Sequence, residues 1–359
     1  MSAHAPHRSE HAPIRHPITA PPAPGEAIEV AAGVLWMRLP LPMRLDHVNV
    51  YALADDDGGW TVVDTGFDSR KGRAIWEAAL AGPLAGRPLR RLLITHHHPD
   101  HIGLAGWLQD VRGVELWTTR TAWLFARMLT LDEQDRPAPE TLAFWRSAGM
   151  DPDLYARRAA DRPFNFADVV APMPLGFRCI AEGETLRAGG RDWVVRFGHG
   201  HAPDHATLWS LCDNLVLGGD QLLPGISPNL GVYATEPEAD PVREWLDSCT
   251  RLAVHAHDDH LVLPGHQLPF TGLPLRMDQL IENHHAALAR LHAHLARPQT
   301  AAECFAPLFR RAIGEGEYGL ALVEAVAHLN HLHQRGAVRR DRRGDGAWLW
   351  RAEPVAAAD

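Results

Sequence analysis

Apolar residues along this chain recur with two periods, and the switches between them outline its elements. Alternating runs over 27–38, His47–Ala54 and Trp60–Asp64 predict strands, and the polar turn Asp55-Asp56-Asp57-Gly58-Gly59 joins the last two as a hairpin. The spacing of Ile75, Trp76, Ala79 and Leu80 predicts a helix over Ser69–Leu80, and Leu92-Leu93-Ile94 reads as a buried strand. Ile102–Leu108 has helical spacing and Glu115–Thr118 reads as a strand. From Thr121 to about Asp161 the pattern stays helical, so 121–175 is expected to be a helical insertion. Strands resume at 193–197, 207–211 and 214–217, followed by a helix over 241–253 and a last core strand at 261–263. Beyond Phe270 the spacing predicts helices over Leu275–Leu295 and Leu320–Gln334, the latter stopped by Gly336. Between them Thr300-Ala301-Ala302-Glu303 has the form of a capping box and predicts a further helix. Segments 337–340 and 347–351 flank a D-G turn at Asp345-Gly346 and predict a hairpin.

The strand–helix–strand rhythm of the middle of the chain predicts an α/β layered fold. A length of 359 residues fits one large domain over 26–272 and a smaller one over 273–359. Ahead of them lie Pro6, Pro13, Pro17, Pro21, Pro22 and Pro24, interleaved with His4, His7, His11 and His16, so 1–25 is expected to be a disordered leader. Composition adds exclusions. A net charge of −9 argues against the whole chain binding polyanions. Cys179, Cys212, Cys249 and Cys304 are widely spaced, which implies neither a disulfide framework nor a cysteine–zinc site. There is no apolar run of about 18 residues and no apolar stretch of the secretory kind, so a cytoplasmic protein without a membrane span is expected.

The densest chemistry is Thr95-His96-His97-His98-Pro99-Asp100-His101, on the loop between a strand and a helix. On extended chain His96 and His98 point the same way, and Asp100 and His101 turn back over that point as the helix begins. Three imidazoles and a carboxylate so placed suit a borderline metal such as zinc. By contrast His255, His257, Asp258, Asp259 and His260 fall in a polar connection and read as solvated loop.

T-H-H-H-P-D-H resembles the H-x-H-x-D-H signature of the metallo-β-lactamase fold hydrolases. Three later blocks resemble that family's remaining ligand blocks, in order: His199-Gly200-His201-Ala202-Pro203-Asp204-His205, Leu217-Gly218-Gly219-Asp220 and Leu263-Pro264-Gly265-His266. The resemblance implies a four-layer αββα sandwich, with a small winged-helix-like domain at the C-terminal end. It implies that His96, His98 and His201 hold one divalent cation, that Asp100, His101 and His266 hold a second, and that Asp220 bridges them. Asp64 would support a ligand histidine through its other ring nitrogen, and His205 would brace its loop without ligating. Zinc is the default metal, with iron or manganese as alternatives for the same donors.

Two such cations about 3.5–4 Å apart hold a hydroxide between them as nucleophile, and Asp100 would help to orient it. No further proton donor is marked in the sequence, which favours a leaving group such as a thiolate that departs without one. The expected function is therefore hydrolysis of an acyl thioester or a similarly activated small acyl substrate. Hydroxyacylglutathione hydrolases carry Lys and Tyr after the bridging Asp and Tyr after the last His. Neither Leu222–Gly231 nor Gln267-Leu268 contains Lys or Tyr, so glutathione itself is not the expected leaving group. The main alternative is a single-strand ribonuclease of the winged-helix type, and a lactonase is another. Arg310, Arg311, Arg335, Arg339, Arg340, Arg342 and Arg343 crowd the C-terminal region and bring nucleic acid into consideration, although a structural or homodimer-forming role is favoured there.

Overall fold

Alternate residues of the first long strands face two different cores. In the computed structural model, which describes residues 11–353, β1 (Ile28–Ala31), β2 (Val34–Pro40), β3 (His47–Ala54), β4 (Trp60–Val63), β5 (Leu89–Leu93), β6 (Glu115–Thr118) and β7 (Arg178–Cys179) form a seven-stranded sheet in chain order. Pairing is antiparallel up to β4 and parallel from β4 to β7. The strands β8 (Thr185–Ala188), β9 (Arg191–Gly198), β10 (His205–Ser210), β11 (Leu215–Gly219) and β12 (Leu261–Pro264) form a second sheet, in which only β11 and β12 are parallel.

Val34, Trp36, Tyr51 and Leu53 of the first sheet meet Trp193, Val195, Leu208 and Leu217 of the second in one buried cluster. Met37, Leu39, Val48 and Val50 point the other way, onto Trp76 of α1 (Arg70–Ala81), Leu108 of α3 (Ala105–Arg112, after the short α2, Pro99–Ile102) and Ala126 of α4 (Arg120–Leu131). Behind the second sheet, Trp209, Val216 and Val262 pack on a further helical layer. The result is the four-layer αββα sandwich, each interface built from strand residues of one parity. Each large apolar side chain so buried contributes about 1.5–3 kcal/mol relative to exposure.

The 121–175 region carries α4, α5 (Pro139–Ser147) and α6 (Pro152–Ala160). The outer layer of the second sheet holds α7 (Pro241–Ala253), α8 (Leu273–His294), the short α9 (Phe305–Phe309) and α10 (Tyr318–Gln334), followed by the hairpin of β13 (Val338–Arg342) and β14 (Trp348–Ala352). Asp240 caps α7 by accepting from Arg243 N, and the buried stripe of that helix includes Trp245, Cys249 and Leu252. That stripe shares a single core with Phe144 and Leu154 of the insertion, Leu280 of α8, Leu329 of α10 and Trp350 of β14. Packing is therefore continuous across 272/273. No helix among the described residues is long and apolar enough to cross a membrane.

Two expectations need correction. The expected leader is seated where the structure describes it: Arg15 and Thr271 exchange backbone hydrogen bonds, Ala12 N donates to Asp258, and Pro22 is buried. Ile14 and Ile18 anchor 11–25 on two of the cores, and its prolines lower the entropy lost on ordering it. Residues 1–10 lie outside the described residues. At Thr300, the Glu303 carboxylate accepts from both the backbone N–H and the hydroxyl, at 2.7 and 2.9 Å. The hydroxyl is thus a donor rather than a cap, and only a single 3₁₀ turn precedes the five-residue α9.

Candidate metal centre

Every predicted ligand lies beyond the end of a strand or between two strands, all at one edge of the sandwich. The His96–His98 loop follows β5, His201 sits between β9 and β10, Asp220 follows β11 and His266 follows β12. Asp100 and His101 are inside α2, whose first residue is Pro99. These loops bring the seven side chains together in overlapping groups: His96, His98 and His201; Asp100, His101 and His266; and His96, His101 and Asp220. His98 Nδ1 lies 3.0 Å from both His96 Nε2 and His201 Nε2. Asp100 Oδ2 lies 3.3 Å from His266 Nε2 and 3.6 Å from His101 Nε2. Asp220 reaches both sets, with Oδ2 at 3.3 Å from His201 and 3.2 Å from His266, and Oδ1 at 3.4 Å from His101.

The electrostatics of these donors suit a cation. Burial, and then the neighbouring imidazoles, hold His96 and His98 well below the usual histidine range, leaving neutral nitrogen donors. Burial opposes charge on His101 and His266 too, but Asp220 and Asp100 outweigh it, raising His101 well above its ordinary value and His266 to about 10. Burial likewise opposes ionisation of Asp220, yet His266 and His101 hold it well below the carboxylate range. The buried Asp220 and the half-buried Asp100 thus demand positive charge, supplied here by imidazole protons that a divalent cation would displace. His101 Nε2 and Asp220 Oδ1 are buried and have no hydrogen-bond partner in the protein, as expected of atoms that face a metal. The donor set fits divalent metal ions.

Around the donors, Asp64 and His205 each contact a side chain or backbone group of the cluster. Asp64 Oδ2 accepts from His101 Nδ1 at 2.7 Å and from the Thr95 hydroxyl at 2.9 Å. His205 stands outside the donor groups. Its Nε2 accepts from Asp220 N at 3.0 Å, and its ring stacks on His96 at 4.5 Å. Gly265 is required by space, because a side chain there would overlap Asp220 Oδ1 and the His101 ring. His97, of opposite parity, turns away onto Phe125 at 5.0 Å, and burial pushes its pKa down to about 3. His255, His257 and His260 form no donor group among the described residues. His260 Nδ1 accepts from His257 N and its ring packs edge-on to Trp209 at 5.3 Å.

Other supports were not visible in the sequence. The His47 carbonyl accepts from His266 Nδ1 at 2.7 Å, and the Asn229 carbonyl accepts from His201 Nδ1 at 2.9 Å. Asn49 Nδ2 and the Tyr51 hydroxyl both donate to the Pro264 carbonyl and hold the loop that carries His266. Backbone carbonyls carry no residue signature. Only Asn49 and Tyr51, polar positions inside an apolar strand, offered a sign.

Comparison with known proteins agrees with this geometry. The metallo-beta-lactamase superfamily model matches residues 43–266, and a metallo-beta-lactamase-like C-terminal domain model matches 288–353. A crystallised beta-lactamase domain protein from Burkholderia ambifaria is 36% identical, with 95% of this chain and 98% of that one covered at a TM-score of 0.87. The probable metallo-hydrolase YqjP of Bacillus subtilis is 27% identical over 85% of this chain and 93% of its own length. The hydroxyacylglutathione hydrolase GloC of Haemophilus influenzae is 24% identical over 63% of this chain and 88% of its own. With the fold, the donor set and the family model in agreement, this chain belongs to the metallo-beta-lactamase superfamily and is a metallo-hydrolase.

Proposed function

We propose that the protein is a dinuclear hydrolase of activated acyl compounds, acyl thioesters foremost. The observation that carries the dinuclear reading is Asp220, whose two oxygens lie within 3.4 Å of His101, His201 and His266, donors drawn from both sets. When bound, a pair of divalent cations, zinc by default and iron or manganese otherwise, supplies Lewis acidity that polarises the acyl carbonyl and acidifies a water. The chain's own residues do the rest. His96 and His98 present neutral nitrogens, His201 turns Nε2 toward the same group, Asp100 accepts a hydrogen bond that orients the attacking water, and Asp64 keeps His101 in one tautomer.

Two features support an acyl over a phosphodiester substrate. A relative named as a hydroxyacylglutathione hydrolase is similar in sequence over 63% of this chain. The C-terminal arginines, which would have to meet a polyanion, are engaged within the protein: Arg311 with Glu317 at 2.7 Å, Arg340 with Glu238 at 2.8 Å, Arg343 with Asp345 at 2.9 Å and Arg339 with Glu353 at 3.0 Å. Arg342 lies over the Trp348 ring at 4.0 Å. Four of the seven arginines are thus paired with carboxylates, which lowers the charge of the patch and favours a homodimer surface or a structural role over nucleic acid.

The test is a hydrolysis screen of metal-reconstituted protein against acyl-CoA, acyl-glutathione, lactone, β-lactam and single-stranded RNA substrates. Turnover of an acyl thioester is expected. Efficient RNA cleavage with every thioester untouched would replace this reading by the ribonuclease one.

A further inference from the structure

The segment between Asp220 and α7 has no helix or strand of its own, yet Leu222, Leu223, Leu230 and Val232 are buried in it. Two C-terminal helices hold its polar groups. From α8 the buried Arg276 donates through Nε to the Leu223 carbonyl at 2.6 Å and through Nη2 to the Ile226 carbonyl at 2.7 Å. On α10, Glu324 Oε2 accepts from Asn229 Nδ2 at 2.7 Å, the Leu320 carbonyl accepts from the same nitrogen at 3.1 Å, and the Val323 carbonyl accepts from Val232 N at 3.1 Å. Asn229 in turn offers its carbonyl to His201 Nδ1 at 2.9 Å, while His201 Nε2 faces His98 and Asp220.

We propose that Glu324 and Asn229 are positioning residues for the His96–His98–His201 donor set, so that the C-terminal helices form part of the metal centre. The inference rests on the metal-centre reading above. A histidine that donates from Nδ1 to a fixed carbonyl has its tautomer set, and Nε2 keeps its lone pair for a cation. That carbonyl is fixed only if the Asn229 backbone is, and the Asn229 side chain ties it to α10. Among the described residues, both hydrogen bonds of the Asn229 side chain go to α10. The link runs from Glu324 through Asn229 to His201 across more than a hundred positions of chain, and each step is a single hydrogen bond.

The experiment is a cobalt(II) titration of the metal-free full-length protein. It follows visible ligand-field absorbance, with competition against a chromophoric chelator for affinity. Wild type is expected to take up two ions. Glu324→Ala and Asn229→Ala are each expected to weaken one of them about tenfold or more and to shift its absorption band, leaving the other as in wild type. Glu324→Gln retains an oxygen that accepts from Asn229 and is expected to restore affinity to within about threefold of wild type. Leu329→Ala, in the core of α10 away from this link, is expected to lower the melting temperature with both affinities intact. Unchanged cobalt binding in Glu324→Ala would overturn the proposal, as would an equal loss in Leu329→Ala. A wild type that binds one ion, weakened by Glu324→Ala, would keep the proposal and sink the dinuclear reading. One ion indifferent to Glu324→Ala, or no ion at all, would sink both.

Discussion

Asp64 holds His101 from behind: its Oδ2 lies 2.7 Å from His101 Nδ1, and its Oδ1 accepts the backbone N–H of Thr95 at 2.8 Å. One carboxylate thus ties the end of β4 to the loop carrying the first ligands. The backbone of Asp64 is left-handed, with φ at 61°, a conformation that Asn also tolerates. Asp64→Asn therefore preserves the turn but removes the charge that makes His101 a stronger donor. The expected outcome is a loss of about 10–100-fold in affinity for the ion held by Asp100, His101 and His266, read by chelator competition. Unchanged affinity would mean that Thr95 alone orients this loop.

Strand parity pointed His96 and His98 to one side, and the later blocks that carry His201, Asp220 and His266 were legible through their resemblance to the family's ligand blocks, each a short run of His, Asp and Gly beside an apolar strand. The layers were legible through strand parity as well: Trp36 and Met37 differ by one position and enter different cores. What stayed hidden depends on contacts distant in sequence. His47 supports His266 from 219 positions away, through a carbonyl that every residue has. Arg276 reads as one more polar position in an amphipathic helix, although its side chain is buried against two carbonyls of another loop. Strand β8 is short and follows a polar turn, and the left-handed pair Gly189 and Gly190 that folds it onto β9 becomes meaningful only once both strands are known. The seat of residues 11–25 was hidden by composition, since proline content describes the unfolded chain and not the core against which Ile14 packs.

His205 tests the distinction between a ligand and its neighbour. It accepts from Asp220 N at 3.0 Å, and burial pushes its pKa down to about 3, so it is neutral at working pH. His205→Ala is expected to keep both metal ions by elemental analysis. It leaves a buried N–H unpaired, a cost of about 1–3 kcal/mol that thermal denaturation would register. His201→Ala is expected to lose an ion. If His205→Ala loses one as completely, His205 belongs among the ligands.

Away from the metal centre, His284 of α8 stacks on His328 of α10 at 5.6 Å. Burial first, then the neighbouring imidazoles, drives His284 from its ordinary 6.5 to about 3. Because the folded value is depressed, the unfolded state binds the proton first. The contribution is fully present above the ordinary value and is lost as pH falls toward the folded one. One such group changes stability by about 1.4 kcal/mol per pH unit inside that window. His328, lowered to about 4, acts in the same direction, whereas Glu324, raised by burial to about 7, acts in the opposite one between its ordinary 4.5 and that value. Comparison of wild type with His284→Gln isolates one proton. The slope of unfolding free energy against pH, from urea denaturation between about pH 6 and pH 4, is expected to fall by about 1.4 kcal/mol per unit in the variant. Equal slopes would show that His284 is not held neutral in the folded protein.

Asp100 is expected to serve any substrate at this centre, and the leaving group then separates the acyl and phosphoryl readings. Its Oδ2 lies between His266 and His101, at 3.3 and 3.6 Å, and those imidazoles hold it ionised against the effect of burial. Asp100→Asn keeps the size of the side chain and removes its charge, so both its hold on the cation and its orientation of the attacking water weaken. A loss of about 10²-fold or more in kcat is expected with any substrate, comparable to the loss of one preorganised catalytic contact. Substrate class then shows in the leaving group. A thiolate departs with little protonation, so a series of thioesters of falling thiol pKa should gain only modestly in rate in the native enzyme. An alkoxide is a poorer leaving group, and oxygen esters or phosphodiesters should show a steep dependence on leaving-group pKa. A steep dependence among thioesters would mean that attack is not rate-limiting and that departure needs a proton donor not identified among these residues.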